Sequence, residues 1–302
     1  MTENKNENQS KIMRLTTGWI IGLLALACLA LGGIPLTIFL LVSIYLAASE
    51  YHKILKNKGF YPSPSLIYVA LGFFVILISF NRFDVLPFIL TLSIIASFLV
   101  VLFKGRQPYI ANVATTVLGF LYAGWLPCHI LLIRKFGAES TSLFAIEANE
   151  GLYLLVMVFL MVLATDIGGY FFGSRHGKHK LSPVISPKKT WEGAIGGTVA
   201  AILVALMTAI NTSLTLLQSA ILGLIVTVSA QLGDLSESLI KRDAGVKDSS
   251  DILPGHGGIL DRMDSYAFAL PMAYYYILYF THGNNIIFEA FNYLKGVLSA
   301  CF

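Results

Sequence analysis

The sequence predicts an all-α, polytopic integral membrane protein with about nine transmembrane helices, and three observations carry that prediction. Of 302 residues, 56% are hydrophobic and only 13% charged, where a soluble domain carries about 25% charged residues. The apolar residues are gathered into blocks of about 17 to 25, the length a helix needs to cross roughly 30 Å of hydrocarbon at 1.5 Å per residue. The basic residues also sort onto one side of those blocks, as membrane proteins require. A typical soluble protein is thereby excluded. So is a disulfide or zinc framework, because Cys28, Cys128 and Cys301 are scattered, lie in or beside apolar segments and form no C-x-x-C pair.

In chain order, residues 1–15 are polar and read as a disordered cytoplasmic tail. No small-residue cleavage site follows the first apolar run, so the tail is not expected to be a removable signal peptide. An N-terminal scaffold, 16–133, holds about five spans, at 16–32, 34–50, 65–81, 84–103 and 110–133. Gly32, Gly33 and the helix-starting Pro35 make the first two a tight hairpin. Gly18 and Gly22 form a G-x-x-x-G pattern compatible with a homodimer. Acidic groups in or beside these spans are Glu50 and Asp84, both at span ends, so this half reads as scaffold and lipid-facing surface. A catalytic region, 151–281, carries spans at 151–173, 191–210, 213–234 and 265–281, with polar loops at 174–190 and 235–264. Residues 284–302 mix apolar positions with Glu289 and Lys295 and suit an interfacial helix. No solenoid repeat and no inverted duplication is visible.

Orientation follows from the charges. With the N-terminus inside, 17 of the 21 basic residues fall on the cytoplasmic side, and Arg82, Arg134, Lys135 and Lys295 on the other. The expected location is the cell (inner) membrane, multi-pass, with both polar loops in the cytoplasm where nucleotides and Mg²⁺ are available.

Three polar stretches carry chemistry. Asp166 lies roughly two turns inside the cytoplasmic end of its span, where an ionised carboxylate is costly unless paired or hydrated; a functional group or a structural ion-pair partner are its two readings. Gly168, Gly169 and Gly173 beside it permit close helix packing or the approach of a ligand. In the second stretch the Ser182-Pro183 and Ser186-Pro187 steps force a stiff, non-helical loop. Lys188 and Lys189 follow it directly, and Thr190 with Glu192 resembles ordinary helix N-terminal chemistry. The third stretch, 234–264, holds seven of the 17 acidic residues. Carboxylates are ligands for hard cations, and Mg²⁺ takes one or two of them and completes its shell with phosphate oxygens and water. Asp261 and Asp264, three apart, share a helix face, and the Gly255-His256-Gly257-Gly258 turn before them can aim backbone N–H groups at anions. Basic, acidic and glycine-rich elements together describe a site for a metal-bound polyphosphate.

That third stretch resembles the signature of the phosphatidate cytidylyltransferases, also called CDP-diacylglycerol synthases. Ser238, Lys241, Arg242, Lys247, Asp248, Ser250, Leu253, Pro254, His256, Gly257, Gly258, Asp261, Arg262 and Asp264 fill it without a gap. The segment Ser186 to Gly193, S-P-K-K-T-W-E-G, is similar to the family too. The resemblance is strong over about 164–265, and the N-terminal half shares only its multi-span character. It implies that CTP and phosphatidate react to CDP-diacylglycerol and pyrophosphate, with Mg²⁺ and a monovalent cation such as K⁺. It also implies Asp234 and Asp261 as metal ligands, with Asp264 a further ligand or an orienting neighbour. Lys241, Arg242, Lys247 and Arg262 are expected on phosphates, with Lys188 and Lys189 next in rank. His256 either donates to a phosphate or orients a carboxylate. Membrane lipid and CTP are the expected partners, and nucleic acid is not. Two other activities compete: a lipid kinase using CTP or ATP, which would release a nucleoside diphosphate, and an ion-coupled transporter with Asp166 as its coupling group.

Overall fold

The computed structural model describes Thr16, Gly18 and residues 20–104, 106–137, 149–250, 252–253 and 257–280. The expected N-terminal tail, the interfacial helix at 284–302 and His256 lie outside the described residues. Among the described residues ten α-helices form the body: α1 Ile20–Leu31, α2 Gly33–Asn57, α3 Pro64–Ser79, α4 Leu86–Lys104, α5 Tyr109–Phe120, α6 Leu126–Arg134, α7 Glu150–His176, α8 Trp191–Thr208, α9 Leu216–Asp243 and α10 Leu260–Phe280. A short ribbon, β1 Lys180–Ser182 with β2 Ser186–Thr190, joins α7 to α8.

Among the described residues, six helical segments are long and apolar enough to cross a membrane, and α1 and α3 are shorter apolar helices. The protein is therefore a mostly helical, multi-pass membrane protein. Helix α4 shows why surface apolarity is not a packing defect here: Phe98, Leu102 and Phe103 face outward, as a helix bathed in lipid tails requires. Local chemistry sets several boundaries. Pro64 opens α3, where its missing N–H is not needed. Pro127 cannot donate to the Ala123 carbonyl, and the chain widens into a π-helical turn over Leu121–Trp125 that joins α5 to α6 in one continuous segment. The Thr215 and Gln218 side chains form a reciprocal capping box that starts α9.

One continuous interior results, running through both halves. In the N-terminal half, Tyr51, Ile67, Leu71, Phe74 and Phe120 are fully buried where α2, α3 and α5 meet, and the Tyr51 hydroxyl donates to the Thr115 carbonyl at 2.8 Å. In the C-terminal half α7 lies along α8 at glycine distance: a Cβ on Gly197 would stand 2.6 Å from the Thr165 carbonyl oxygen. Gly168 and Gly173 serve this packing, for a Cβ there would stand 3.0 Å from Ala200 and 3.1 Å from Thr190, while Gly169 leaves ordinary contact distance. Thr165 donates to Thr227 of α9 at 2.9 Å, and the Gln231 amide donates to Ala194 and Thr198 of α8. These bonds tie α7, α8 and α9 together one turn from Asp166 and Asp234.

Of the loop at 174–190, expected as stiff and non-helical, residues 174–176 are instead the last turn of α7, while 180–190 form an antiparallel ribbon, with Lys180 opposite Thr190 and Ser182 opposite Ser186. Its prolines explain both readings: Pro183 sits in the turn, and Pro187 occupies a ribbon with no third strand to claim its missing N–H. Thr190 caps α8 by accepting from Gly193 N–H at 3.2 Å, while Glu192 takes the His179 backbone and ring N–H groups instead.

Candidate active site

Helix α9 has 28 residues, about 42 Å at 1.5 Å per residue, so it outruns a hydrocarbon core of roughly 30 Å by two turns or more. Its C-terminal end projects Asp234, Glu237, Ser238 and Lys241 at helical spacings of three and four, hence toward one side. Helix α10 meets it there: a Cβ on Gly233 would lie 2.4 Å from the Asp264 carbonyl oxygen, so the two backbones cross beside Asp234 and Asp264.

The first cluster is built around Lys241, which is nearly buried. Its ammonium pairs with Glu237, one turn back on α9 and fully buried, and with Asp261 Oδ1 at 2.6 Å. Asp261 Oδ2 accepts from Gly258 N–H at 2.8 Å, from Ser249 N–H at 3.0 Å and from the Ser249 hydroxyl at 2.8 Å. Both Asp261 oxygens therefore have protein donors. One carboxylate welds the end of α9, the 249–258 loop and the first turn of α10 into a unit. Gly257 has φ +79°, and a Cβ on Gly258 would stand 1.9 Å from the Ser249 hydroxyl, so this turn tolerates no side chain at 258.

The second cluster is open. Asp166 of α7, Asp234 of α9 and Asp264 of α10 lie within electrostatic reach of one another, with Lys189 and Arg262 nearby. Lys189, delivered by β2, has its ammonium 2.6 Å from Asp234 Oδ2, an ion pair by distance although not aligned as a hydrogen bond. Ser238 Oγ stands 3.5 Å from Asp234 Oδ1. Asp166 is exposed, within reach of the Asp234, Lys189 and Arg262 charges. Among the described residues no hydrogen bond or ion pair holds its carboxylate, which disfavours the structural ion-pair reading. Asp166→Asn is accordingly expected to lower turnover at least tenfold while the thermal midpoint moves little; a large drop in melting temperature with activity retained would reverse that assignment.

The remaining sequence candidates lie around these clusters. Arg242 is exposed and donates to the Ile185 carbonyl of the ribbon turn at 3.3 Å and to the Val246 carbonyl at 3.0 Å, clamping ribbon and loop to the end of α9. Lys188, Lys247 and Arg262 are exposed at the rim. Two residues that the motif reading passed over belong to the site. Glu237 was recognisable by its i,i+4 spacing to Lys241. Glu50 of α2 was not: it accepts hydrogen bonds from the 249–260 loop across some 200 residues of chain.

The fit of a cation can be tested on these groups. Among the described residues no three His, Cys, Asp or Glu side chains converge closely enough to hold an ion by themselves. Asp234 and Asp264 nevertheless offer two hard oxygen donors, the number that Mg²⁺ takes from a protein when substrate phosphates and water complete its shell. Across both clusters five carboxylates, Asp166, Asp234, Glu237, Asp261 and Asp264, face three cationic side chains, Lys189, Lys241 and Arg262.

Comparison with known proteins gives the same direction. Residues 12–280 match the model of the cytidylyltransferase family. The chain is similar to a phosphatidate cytidylyltransferase of Synechocystis sp., 35% identical over 280 residues that cover 86% of this chain and 94% of the relative. It is 38% identical over 267 residues to one of Staphylococcus aureus, covering 86% and 96%. Phosphatidate cytidylyltransferase 4, chloroplastic, of Arabidopsis thaliana is 31% identical over 302 residues, covering 91% and 76%. With the family match running through both halves and the acidic clusters at its C-terminal end, the chain belongs to the cytidylyltransferase family.

Proposed function

We propose that this protein transfers the cytidylyl group of CTP to phosphatidate, forming CDP-diacylglycerol and pyrophosphate. The observation that carries the reading is the grouping of Asp166, Asp234 and Asp264 with Lys189 toward the ends of three helices, in a member of this family. In this reading nine helical spans cross the cell membrane, and this grouping faces the cytoplasm.

The phosphate monoester of phosphatidate has a second pKa near 6, so at neutral pH the nucleophile is mostly ionised and needs no dedicated base. The work left to the protein is to bring two strongly anionic groups together and to hold the leaving pyrophosphate. Asp234 and Asp264 would hold the Mg²⁺, which when bound neutralises charge on the triphosphate and polarises its phosphorus; a monovalent cation, K⁺, would accompany it. Asp261, whose oxygens already have donors, keeps the loop and α10 in register. Lys241 offers three donors, of which carboxylates take two, leaving one for a phosphate. Arg262 and Lys247 flank the triphosphate. The acyl chains of phosphatidate stay in the bilayer, so its headgroup reaches this site from the side, past Lys188 at the lipid surface.

The two lysines of β2 then divide their labour. Lys188→Ala is expected to raise the KM for phosphatidate several-fold and leave the KM for CTP within about twofold, because an exposed charge contributes mainly to headgroup attraction. Lys189→Ala should lower kcat instead, since it leaves Asp234 without its partner. An effect of Lys188→Ala confined to CTP would move that lysine to the triphosphate.

The reaction itself is tested with detergent-solubilised protein, Mg²⁺, phosphatidate and each of the four nucleoside triphosphates. Pyrophosphate release that needs both CTP and phosphatidate is expected. A nucleoside diphosphate product would favour the lipid kinase, and neither product the transporter.

A further inference from the structure

Glu50 takes no part in the chemistry described above, and by sequence it belongs to the scaffold. It stands near the C-terminal end of α2, fully buried. Its Oε1 accepts from the Ser250 hydroxyl at 2.6 Å and from Ile259 N–H at 3.1 Å. Its Oε2 accepts from Leu260 N–H at 2.8 Å and faces the Ser249 hydroxyl at 3.1 Å, whose single proton is shared with Asp261 Oδ2. Each carboxylate oxygen is thus served by one amide and one hydroxyl. Among the described residues no cationic side chain pairs with it.

The two amides are the unsatisfied donors at the start of α10, which a local Ser, Thr, Asp or Asn ordinarily caps. Here the preceding positions are Gly257, Gly258 and Ile259, none with a side-chain oxygen. Helix α10 is therefore capped in trans by a carboxylate from the other half of the protein, at the end where the helix dipole favours negative charge. The approach is close enough that a Cβ on Gly258 would lie 2.4 Å from Glu50 Oε2. Ser249 and Gly258 beside it supply the donors to Asp261, so Glu50 and Asp261 hold the same stretch of chain.

We infer that Glu50 is a positioning residue of the transfer reaction: by capping α10 in trans it fixes Ser249, Ser250 and the 257–260 turn and, through them, the settings of Asp261, Lys241 and Asp264. The inference rests on the function proposed above. It makes α2 part of the enzyme's working half, and it couples the packing of the N-terminal helices to turnover.

Glu50→Gln tests it, because the amide keeps the volume but turns an N–H donor toward one of the two backbone amides. In the full-length enzyme kcat is expected to fall on the order of 30-fold, with the KM for phosphatidate within about twofold, since Lys188 is untouched. Ser250→Ala removes one donor from the same carboxylate and should lower kcat a few-fold alone but not further in the Glu50→Gln background. Wild-type kcat per folded molecule in Glu50→Gln, or additive losses in the double variant, would overturn the positioning role. Should Glu50→Gln fail to fold, Ser250→Ala decides: wild-type kcat there overturns the inference. Wild-type enzyme that releases no pyrophosphate from CTP and phosphatidate would overturn the proposed function and this role with it, whereas an active wild type with an unaffected Glu50→Gln overturns this role alone.

Discussion

Asp261→Asn is expected to lower turnover by about 1,000-fold or more, a rise of about 4 kcal/mol in the barrier. The carboxylate uses Oδ1 for the Lys241 ammonium and Oδ2 for three donors on Ser249 and Gly258. An asparagine has one acceptor oxygen and cannot serve both sides. If that oxygen keeps the loop, its NH₂ group faces the ammonium of Lys241; if it keeps Lys241, the NH₂ group faces the Gly258 and Ser249 amides. Lys241 then swings toward Glu237, and the loop that precedes α10 loses its register. Breaking one partner out of a buried ion pair costs about 3–5 kcal/mol, so the thermal midpoint in detergent should drop as well. Pyrophosphate release and thermal unfolding measured on the same preparation check the two effects together. Turnover near that of the wild type at saturating Mg²⁺ would show that neither the charge nor the grip on the loop is needed.

Much of this site was legible because its chemistry is local. Asp234, Ser238 and Lys241 lie on one helix, Gly257 to Asp264 on one turn and the helix it begins, and their spacing alone brings them together. The apolar runs were legible for a related reason: hydrocarbon asks the same of every residue in a span, so a helix stands over each of them from α2 to α10, but α2 runs on to Asn57, and α9 to Asp243 and α10 from Leu260 take both ends of the stretch 235–264 that reads as a loop. Glu50 was not legible. An acid at the end of an apolar run, followed by Lys53 and Lys56, looks the same whether it faces water or caps a helix some 200 residues away. The missing signal was at the other partner, where α10 begins with two glycines and no capping side chain. A helix start without a cap asks for a distant acceptor, and Glu50 and Asp84 were the acids at hand in the first five spans. Asp166 was legible as a costly intramembrane charge, but only the packing of α7 beside α8 and α9 shows that it lies near Asp234 and Lys189.

Asp234→Asn should match Asp261→Asn in lost turnover, about 1,000-fold, while leaving the melting temperature almost unchanged. The difference follows from burial. Asp234 is about a third exposed and its close ionic partner is Lys189, itself 26% exposed. A partly exposed pair of this kind contributes roughly 0–1 kcal/mol to folding, and no loop hangs on the Asp234 oxygens as one hangs on those of Asp261. Yet Asp234 stands where α9 crosses α10, beside Asp264 and Asp166, and in the proposed reaction it is one of the two carboxylates that would hold the cation. Removing that charge leaves a folded protein in which Lys189 meets the triphosphate without its counter-ion and Asp264 is alone as an oxygen donor. Asp243→Asn is the control: Asp243 is exposed, pairs with Lys58 at 3.4 Å and lies outside both clusters, so its loss should change kcat by no more than about twofold. A thermal shift for Asp234→Asn as large as that for Asp261→Asn would place Asp234 among the structural acids. Equal losses of turnover in Asp234→Asn and Asp243→Asn would mean that the summed negative charge at this end of α9, and not a cation held between α9 and α10, is what turnover requires.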